Sequence, residues 1–408
     1  VLSARDTTYA KIICGDFSCS LQAKGSCSSL LERIGKTAET IANDSQERVI
    51  NIEKLWAGLP MASIDVKVGE HNPLSSFMKY KGLGYKDVDI HLTSEPLYGI
   101  NGYANILGMD YESVMVDTIK LNMKSNETQC VFDGQVRNNK DNPQYVFNAL
   151  FHGKMMEHGL QAYATINDSK DREGLSIGVD AEMIEKGLKL RILDDEGLVI
   201  GYQDFKVNSD NYIILGKHNR VSADMKMISS DGKGLAVYTM DDNTDALQDI
   251  TLSVTKLNLQ EILSAIPYAP DIRGVLEGDF HYIQDSEGFS VSSSSSISKL
   301  NYAGLDIGDF SSEFVYMPET DGGHHIDGIL YMGDVEICDV IGSYNPSGEG
   351  AIDASVKMKE MPMHLANGFI PNHLFGLKGK GDGELEIKGT LAKPDVNGEI
   401  FLDSCHLY

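Results

Sequence analysis

From Leu377 to Gly389 the chain alternates without a break. The odd positions read Leu, Gly, Gly, Gly, Leu, Ile, Gly, while Lys378, Lys380, Asp382, Glu384, Glu386 and Lys388 fill the even ones. Successive side chains of a strand point to opposite faces, so this phrase places one face in an apolar setting and the other in water. A helix of 3.6 residues per turn would mix the two sets.

The same period recurs along the chain. It is carried by Phe17, Cys19, Leu21 and Ala23; Ile64, Val66 and Val68; Val88, Ile90 and Leu92; and Ile119, Leu121 and Met123. Leu175, Ile177 and Val179 continue it, then Leu188, Leu190 and Ile192; Val221, Ala223 and Met225; and Ile250, Leu252 and Val254. Ile352, Ala354 and Val356 follow, then Val396, Gly398, Ile400 and Leu402. Polar turn clusters separate the runs, as at Asn138–Pro143, Asp194–Gly197, Ser229–Gly232 and Tyr344–Gly348. The pattern predicts an all-β chain of about twenty short strands joined by hairpin-length turns. Clean alternation marks antiparallel sheet with one dry face, whereas buried parallel sheet gives continuous apolar runs. The Ser292–Ser296 run is flanked in strand phase by Phe289, Val291 and Ile297, which makes it a serine-faced strand rather than a tether. No interdomain linker interrupts the chain, which reads as one continuous repetitive region with repeats at 1–248 and 249–408.

Short helices are expected near 28–43, 53–59, 259–266 and 363–370. Ser28 or Ser29 is placed to cap the first, which carries Leu30, Leu31, Ile34, Ala38 and Ile41. The others share an eleven-residue template ending in proline. Ile50–Pro60 matches Leu257–Pro267 position by position in polarity, and Met361–Pro371 is a looser third version. Each follows a strand and precedes another, as one or two turns of apolar helix plugged onto the sheet.

Composition narrows the functional classes. Lys and Arg number 35 against 60 Asp and Glu, a net charge of -25. Such a surface repels phosphate backbones, so nucleic acid is not an expected partner. Docking on anionic headgroups is disfavoured for the same reason. Six cysteines, none in a CxxC pair, are too sparse for a disulfide framework and are expected to be buried thiols. No run of 18 apolar residues is present to form a spanning helix, and Val1–Thr8 does not resemble a signal peptide. The chain is expected to begin and end inside a longer protein.

The search for chemistry yields only weak motifs. Gly379, Gly381 and Gly383 lack the following helix of a phosphate loop and better suit a tight bend of the dry face. Asp241–Asp245 starts like a calcium loop, but Ala246 and Leu252 stand where glycine and a bidentate Glu are required. His324 and His325, near Asp321 and Asp327, would point to opposite faces of a strand, a poor arrangement for one metal, and the segment is expected to be a turn. No catalytic residue, metal or cofactor is expected.

The C-terminal part resembles the TamB family. The residues that carry the likeness are Met361–Leu365, Phe369-Ile370-Pro371, Leu377–Gly381, Leu385–Thr390 and Pro394–Ile400. Upstream, Leu257–Pro267, Ile272-Arg273-Gly274, Leu300–Gly308 and Val340–Tyr344 look like the form found in Bacteroidota-type sequences. The resemblance runs from about Ile250 to Leu402; before that it rests on the shared architecture and the Ile50–Pro60 template.

The resemblance implies membership of the AsmA-like group, related to the bridge-like lipid transfer proteins. Such proteins are anchored in the inner membrane, span the periplasm and fold antiparallel strands into a long U-shaped gutter with an apolar interior. Their partners are phospholipid acyl chains and an Omp85-type outer-membrane barrel, and the family offers no catalytic residues to carry over. The family's membrane anchor and barrel-contacting end are expected to lie outside this sequence. Candidate groove-lining residues, from the period-two pattern, are Ile64, Val66, Ile119, Leu121, Leu188, Leu190, Ile250, Leu252, Leu385, Ile387, Ile400 and Leu402. Lys380, Glu384, Glu386 and Lys388 are expected outside. Alternation fits a sandwich core as well as a gutter; the glycine-rich face and the lack of linkers favour the gutter. Rival functions are a periplasmic scaffold that pairs its sheet edges with unfolded outer-membrane strands, and a structural β-sandwich array.

Overall fold

The alternation folds as it reads. The computed structural model describes residues 2–46, 51–112, 114–217, 220–240, 246–286, 288–302, 304–319, 322–348, 350–363, 377–390 and 392–407. These residues form 27 strands in antiparallel sheet, with four helices. There are more strands than the pattern predicts because several are too short to show a period. Leu2–Ser3, Leu83–Gly84 and Val199–Ile200 are two residues long.

The helices start where a side chain caps the first turn. Helix α1, Cys27–Gln46, follows Ser26, whose Oγ accepts from the Ser29 N–H at 3.3 Å. The cap therefore lies just upstream of the expected Ser28 or Ser29. Helix α2, Ile52–Gly58, is capped by Asn51, which accepts from the Lys54 N–H at 2.9 Å. Helix α3, Pro73–Tyr80, was not predicted; Asn72 caps it and Pro73 opens it, a pairing too short to show an apolar period. Helix α4, Leu259–Ser264, is capped by Asn258, which holds the Glu261 N–H at 3.3 Å. Asn51 and Asn258 occupy the same place in the repeated template. The fourth expected helix, near 363–370, lies outside the described residues from position 364 on. No described helix is long and apolar enough to cross a membrane.

The chain divides into two compact units. Unit 1 comprises Val1–Val207, Tyr212–Asn219 and Ser264–Ala269; unit 2 comprises Asn208–Asn211, Arg220–Leu263 and Pro270–Tyr408. Within each, strands pair mostly with their sequence neighbours, as hairpin-length turns require.

Unit 1 holds a dense core at one border of its sheet. Ile52, Trp56, Leu59 and Cys130 are almost wholly buried, and Leu55, Ile100, Met123 and Met155 pack against them. The Trp56 indole N–H donates to the Asn126 carbonyl at 3.2 Å. Gly99 is needed beside it, since a Cβ there would lie 2.6 Å from the indole. Arg33 and Thr37 of α1 donate to the carbonyls of Leu59 and Gly58, which holds α1 against α2. At the opposite strand ends, Tyr268 donates to the Met115 carbonyl at 2.7 Å and accepts from Asn138 at 2.8 Å.

Unit 2 relies on bulges instead. Its strand pairings shift register between Val254 and Leu257, Arg273 and Val275, Ile297 and Leu300, Leu330 and Tyr331, Met358 and Met361, and Lys378 and Lys380. The bulges fall at the same end of these strands. Lys256, Lys299 and Glu360 adopt left-handed φ values of 48°, 54° and 45° there. Asp309 accepts the Lys299 N–H and Asp382 the Glu360 N–H, each at 2.8 Å. A bulge frees an amide from the ladder and bends its strand; a carboxylate on the neighbouring strand takes up that amide.

Candidate functional site: accessible apolar faces

Direct cross-strand partners share a face, so the register shows which residues meet. In unit 1 one rung reads Leu21, Ile64, Leu92, Gly102, Met123, Phe132, Gly153, Ala162, Val179, Ile192. The next runs through Val66, Ile90, Ala104, Leu121, Gly134, Phe151, Ala164 and Ile177. Ile119 stands opposite Ile106 and Val136, Leu188 opposite Met183, and Leu190 opposite Ala181. Ile64, Val66, Ile119, Leu121, Leu188 and Leu190 thus share one face of unit 1. Glycines let the rings of that face lie flat. A Cβ at Gly134 would run into Phe151, and one at Gly153 would lie 2.6 Å from Phe132.

Unit 2 builds a second face in the same way. One rung reads Val237, Leu252, Phe280, Ser293, Phe314, Gly328, Val340, Val356, Leu385, Gly398. Ile250 pairs with Tyr282, Ile387 with Ala354 and Val396, Ile400 with Gly383, and Leu402 with Gly381. The six candidates of unit 2 therefore also share a face. Lys380, Glu384, Glu386 and Lys388 occupy the other side and are exposed. There Lys380 meets Glu360 at 2.6 Å and Lys388 meets Glu386 at 3.1 Å.

The faces are apolar yet accessible. Every unit 1 candidate is partly exposed, as are Ile250, Leu252, Leu385 and Ile387, and Ile400 and Leu402 are 38% and 52% exposed. In the middle of a two-sheet sandwich such side chains would be sealed from water. Burial is confined to local patches, such as Met225 and Met227 on the first long strand of unit 2.

Several features of the faces escape a reading of the period alone. Ser293, Ser295 and Ser312 sit on the apolar side of unit 2, where the Ser295 and Ser312 hydroxyls bond each other at 2.9 Å. An aromatic row, Tyr282, Phe289, Tyr316 and His324, runs along one border. Burial and the neighbouring Tyr344 hold the Tyr316 phenol above its usual range. These residues are scattered over four strands, and only the register brings them together.

The weak motifs resolve plainly. Gly379 has a φ of +115° at the Lys378/Lys380 bulge, so it supplies a bend. His324 and His325 begin the strand His324–Met332 rather than lying in the expected turn, because both pair with strands on either side; His324 stacks on Tyr316 on the apolar side, whereas His325 faces Glu319 and Asp327. Residues 241–245 lie outside the described residues. Among the described residues no group of His, Cys, Asp and Glu is placed to hold a metal ion. The cysteines correct the expectation of uniform burial. Cys130 and Cys338 are buried, but Cys14 is exposed and Cys19, Cys27 and Cys405 are partly exposed; Cys14 ends its strand and Cys405 lies on a strand paired on one side, whereas Cys19 sits on an accessible sheet face. Burial pushes the Cys338 thiol up, which keeps it protonated. Comparison with protein-family models, with curated proteins and with solved structures finds no match.

Proposed function

We propose that the chain is a non-enzymatic segment of a cell-envelope bridge. Its apolar faces carry phospholipid acyl chains across the periplasm between the inner and outer membranes, in support of outer-membrane biogenesis. The observation that carries this reading is the accessibility of long, largely apolar rows in both units. A sheet that folds for stability alone covers such a face with a second layer. Acyl chains supply that layer and gain about 25 cal/mol for each Å² of apolar surface removed from water. They need no specific polar contacts, which fits the weakness of every motif found. The resemblance to the TamB family points the same way. It implies an inner-membrane anchor and an Omp85-type barrel partner for a longer protein, with the faces forming the interior of a gutter.

Lipid extraction of the purified chain, followed by native mass spectrometry, tests the reading. Bound phospholipid is expected on the parent chain, and Leu252→Arg or Ile387→Arg lowers the amount while circular dichroism stays unchanged. A parent chain that takes up no lipid from vesicles sinks the proposal.

A second reading has one observation in its favour. The Lys393–Leu407 strand pairs with Leu377–Thr390 and has no other strand partner among the described residues, and its Val396, Phe401 and Leu402 are exposed. Such an edge is suited to receive an unfolded outer-membrane strand. Crosslinks from positions 396–402 to an unfolded barrel protein would support this scaffold role.

A further inference from the structure

The acyl-chain reading leaves one border of unit 2 unused. At the strand ends joined by segments 285–288, 319–323 and 345–350, aromatic rings replace aliphatic side chains. Tyr282 stacks on Phe289 with centroids 5.7 Å apart, Phe289 packs on Tyr316 at 5.3 Å, and Tyr316 stacks on His324 at 4.8 Å. Tyr344, opposite His324 in register, extends the row. Phe289 is 39% exposed, and the three tyrosines are partly exposed. The row continues the face that carries Phe280, Val291 and Phe314.

On the strands that carry the row, carboxylates far outnumber basic side chains. Between Ile272 and Asn345 the only Lys and Arg residues are Arg273 and Lys299. Both sit at the far ends of their strands, and Arg273 already pairs with Asp271 at 3.1 Å. The connecting segments at the aromatic end contain no Lys or Arg, while Asp285 and Glu319 stand exposed in them. Aromatic faces attract an ammonium group through their quadrupole, and carboxylates nearby attract it further. A headgroup that carries only a phosphate charge meets repulsion at the same place.

We propose that this border is a headgroup station. Its aromatic row receives the ammonium of a zwitterionic phospholipid, ethanolamine or choline in type, while the acyl chains lie along the adjoining apolar face. This rests on the acyl-chain reading above and adds to it the class of lipid that unit 2 prefers. The rings give the ammonium an attractive surface at the level where the apolar face ends, as interfacial aromatics do at a membrane surface.

The test loads the purified chain from vesicles of equimolar phosphatidylcholine and phosphatidylglycerol with identical acyl chains. Bound lipid is then extracted and quantified by mass spectrometry. The parent chain is expected to retain choline lipid in excess. The double variant Phe289→Leu, Tyr316→Leu lowers the choline-to-glycerol ratio about fivefold, with total lipid per chain unchanged. The pair Phe289→Tyr, Tyr316→Phe keeps the ring faces and restores the ratio. All three proteins share the same net charge, so a difference between them reports on the rings. An unchanged ratio in the leucine variant overturns the headgroup station and leaves the acyl-chain reading standing. No lipid on any of the three overturns both. Should the leucine variant fail to fold by circular dichroism, Tyr344→Leu, at the end of the row, decides in its place by the same ratio.

Discussion

Units 1 and 2 present the same kind of apolar face but support it by different means. Unit 1 stations helices at the sheet border, and Trp56 and Ile52 of α2 form a buried core there with Leu59 and Cys130. Unit 2 holds Leu259–Leu263 of α4, from the same template, yet none of that helix's side chains is buried. Its strands instead kink at a row of bulges, with carboxylates holding the freed amides. The difference teaches that an eleven-residue signal specifies a capped helix without specifying how deeply it packs. Depth depends on what the surrounding strands offer: Gly99 opens space for an indole in unit 1. Shape in unit 2 comes from the backbone, where left-handed residues store a cost of roughly 1–2 kcal/mol each.

The contrast is sharpest at the two template helices. Trp56→Ala is expected to cost about 3–5 kcal/mol through the cavity it leaves. Leu263→Ala in α4, already partly exposed, costs about 1 kcal/mol. Thermal unfolding of both variants measures the gap, and equal losses would erase the distinction between the units. Next in size, Asp382→Ala strips the Glu360 amide of its acceptor and costs about 1 kcal/mol. Amide exchange around Glu360 should quicken in that variant while exchange at α2 stays as it was. Lys299→Gly acts in the opposite direction, relieving the left-handed strain by about 0.5 kcal/mol after the added flexibility of the unfolded chain is counted. Denaturant midpoints read that gain.

The smallest expected effect is a pH step confined to unit 1. The Asn72 side chain and then the His71 backbone N–H hold the Asp16 carboxyl below its ordinary value of 3.8. A depressed carboxyl favours the folded form above the ordinary value and loses that contribution as pH falls through the lowered one. The start of α3 is therefore expected to loosen below pH 3.8, seen as shifts of its amide resonances. Asp16→Asn should remove the step. Retention of the same step in that variant would assign the loosening to another group.

Much of the architecture was legible from period two. Leu377–Gly389 and the runs around Ile64, Ile119 and Leu252 all became strands with the expected faces, because a solvated side and an apolar side leave a direct trace in sequence. The short strands Leu83–Gly84 and Val199–Ile200 left none. Helix α3 was hidden because its signal is a cap and a proline rather than an apolar stripe. The template predicted α2 and α4, but nothing local distinguished the buried Trp56 from the unburied α4. The candidate lining residues of one strand share a face by parity, and the register brings those of different strands to one face within each unit. The aromatic border was illegible since Tyr282, Phe289, Tyr316 and His324 acquire meaning only through register.

The bulge row of unit 2 also bears on how such a chain changes length. A single inserted residue would turn the rest of a strand inside out, exposing its apolar side chains on the wet surface. Bulges supplied separately by Lys256, Lys299 and Glu360 tie phase to the strands that hold them rather than to a distant landmark. Duplication or loss of a complete hairpin therefore carries its own phase reference with it. Growth in such steps extends a sheet by two strand spacings, about 9.6 Å, and leaves every existing rung in its place.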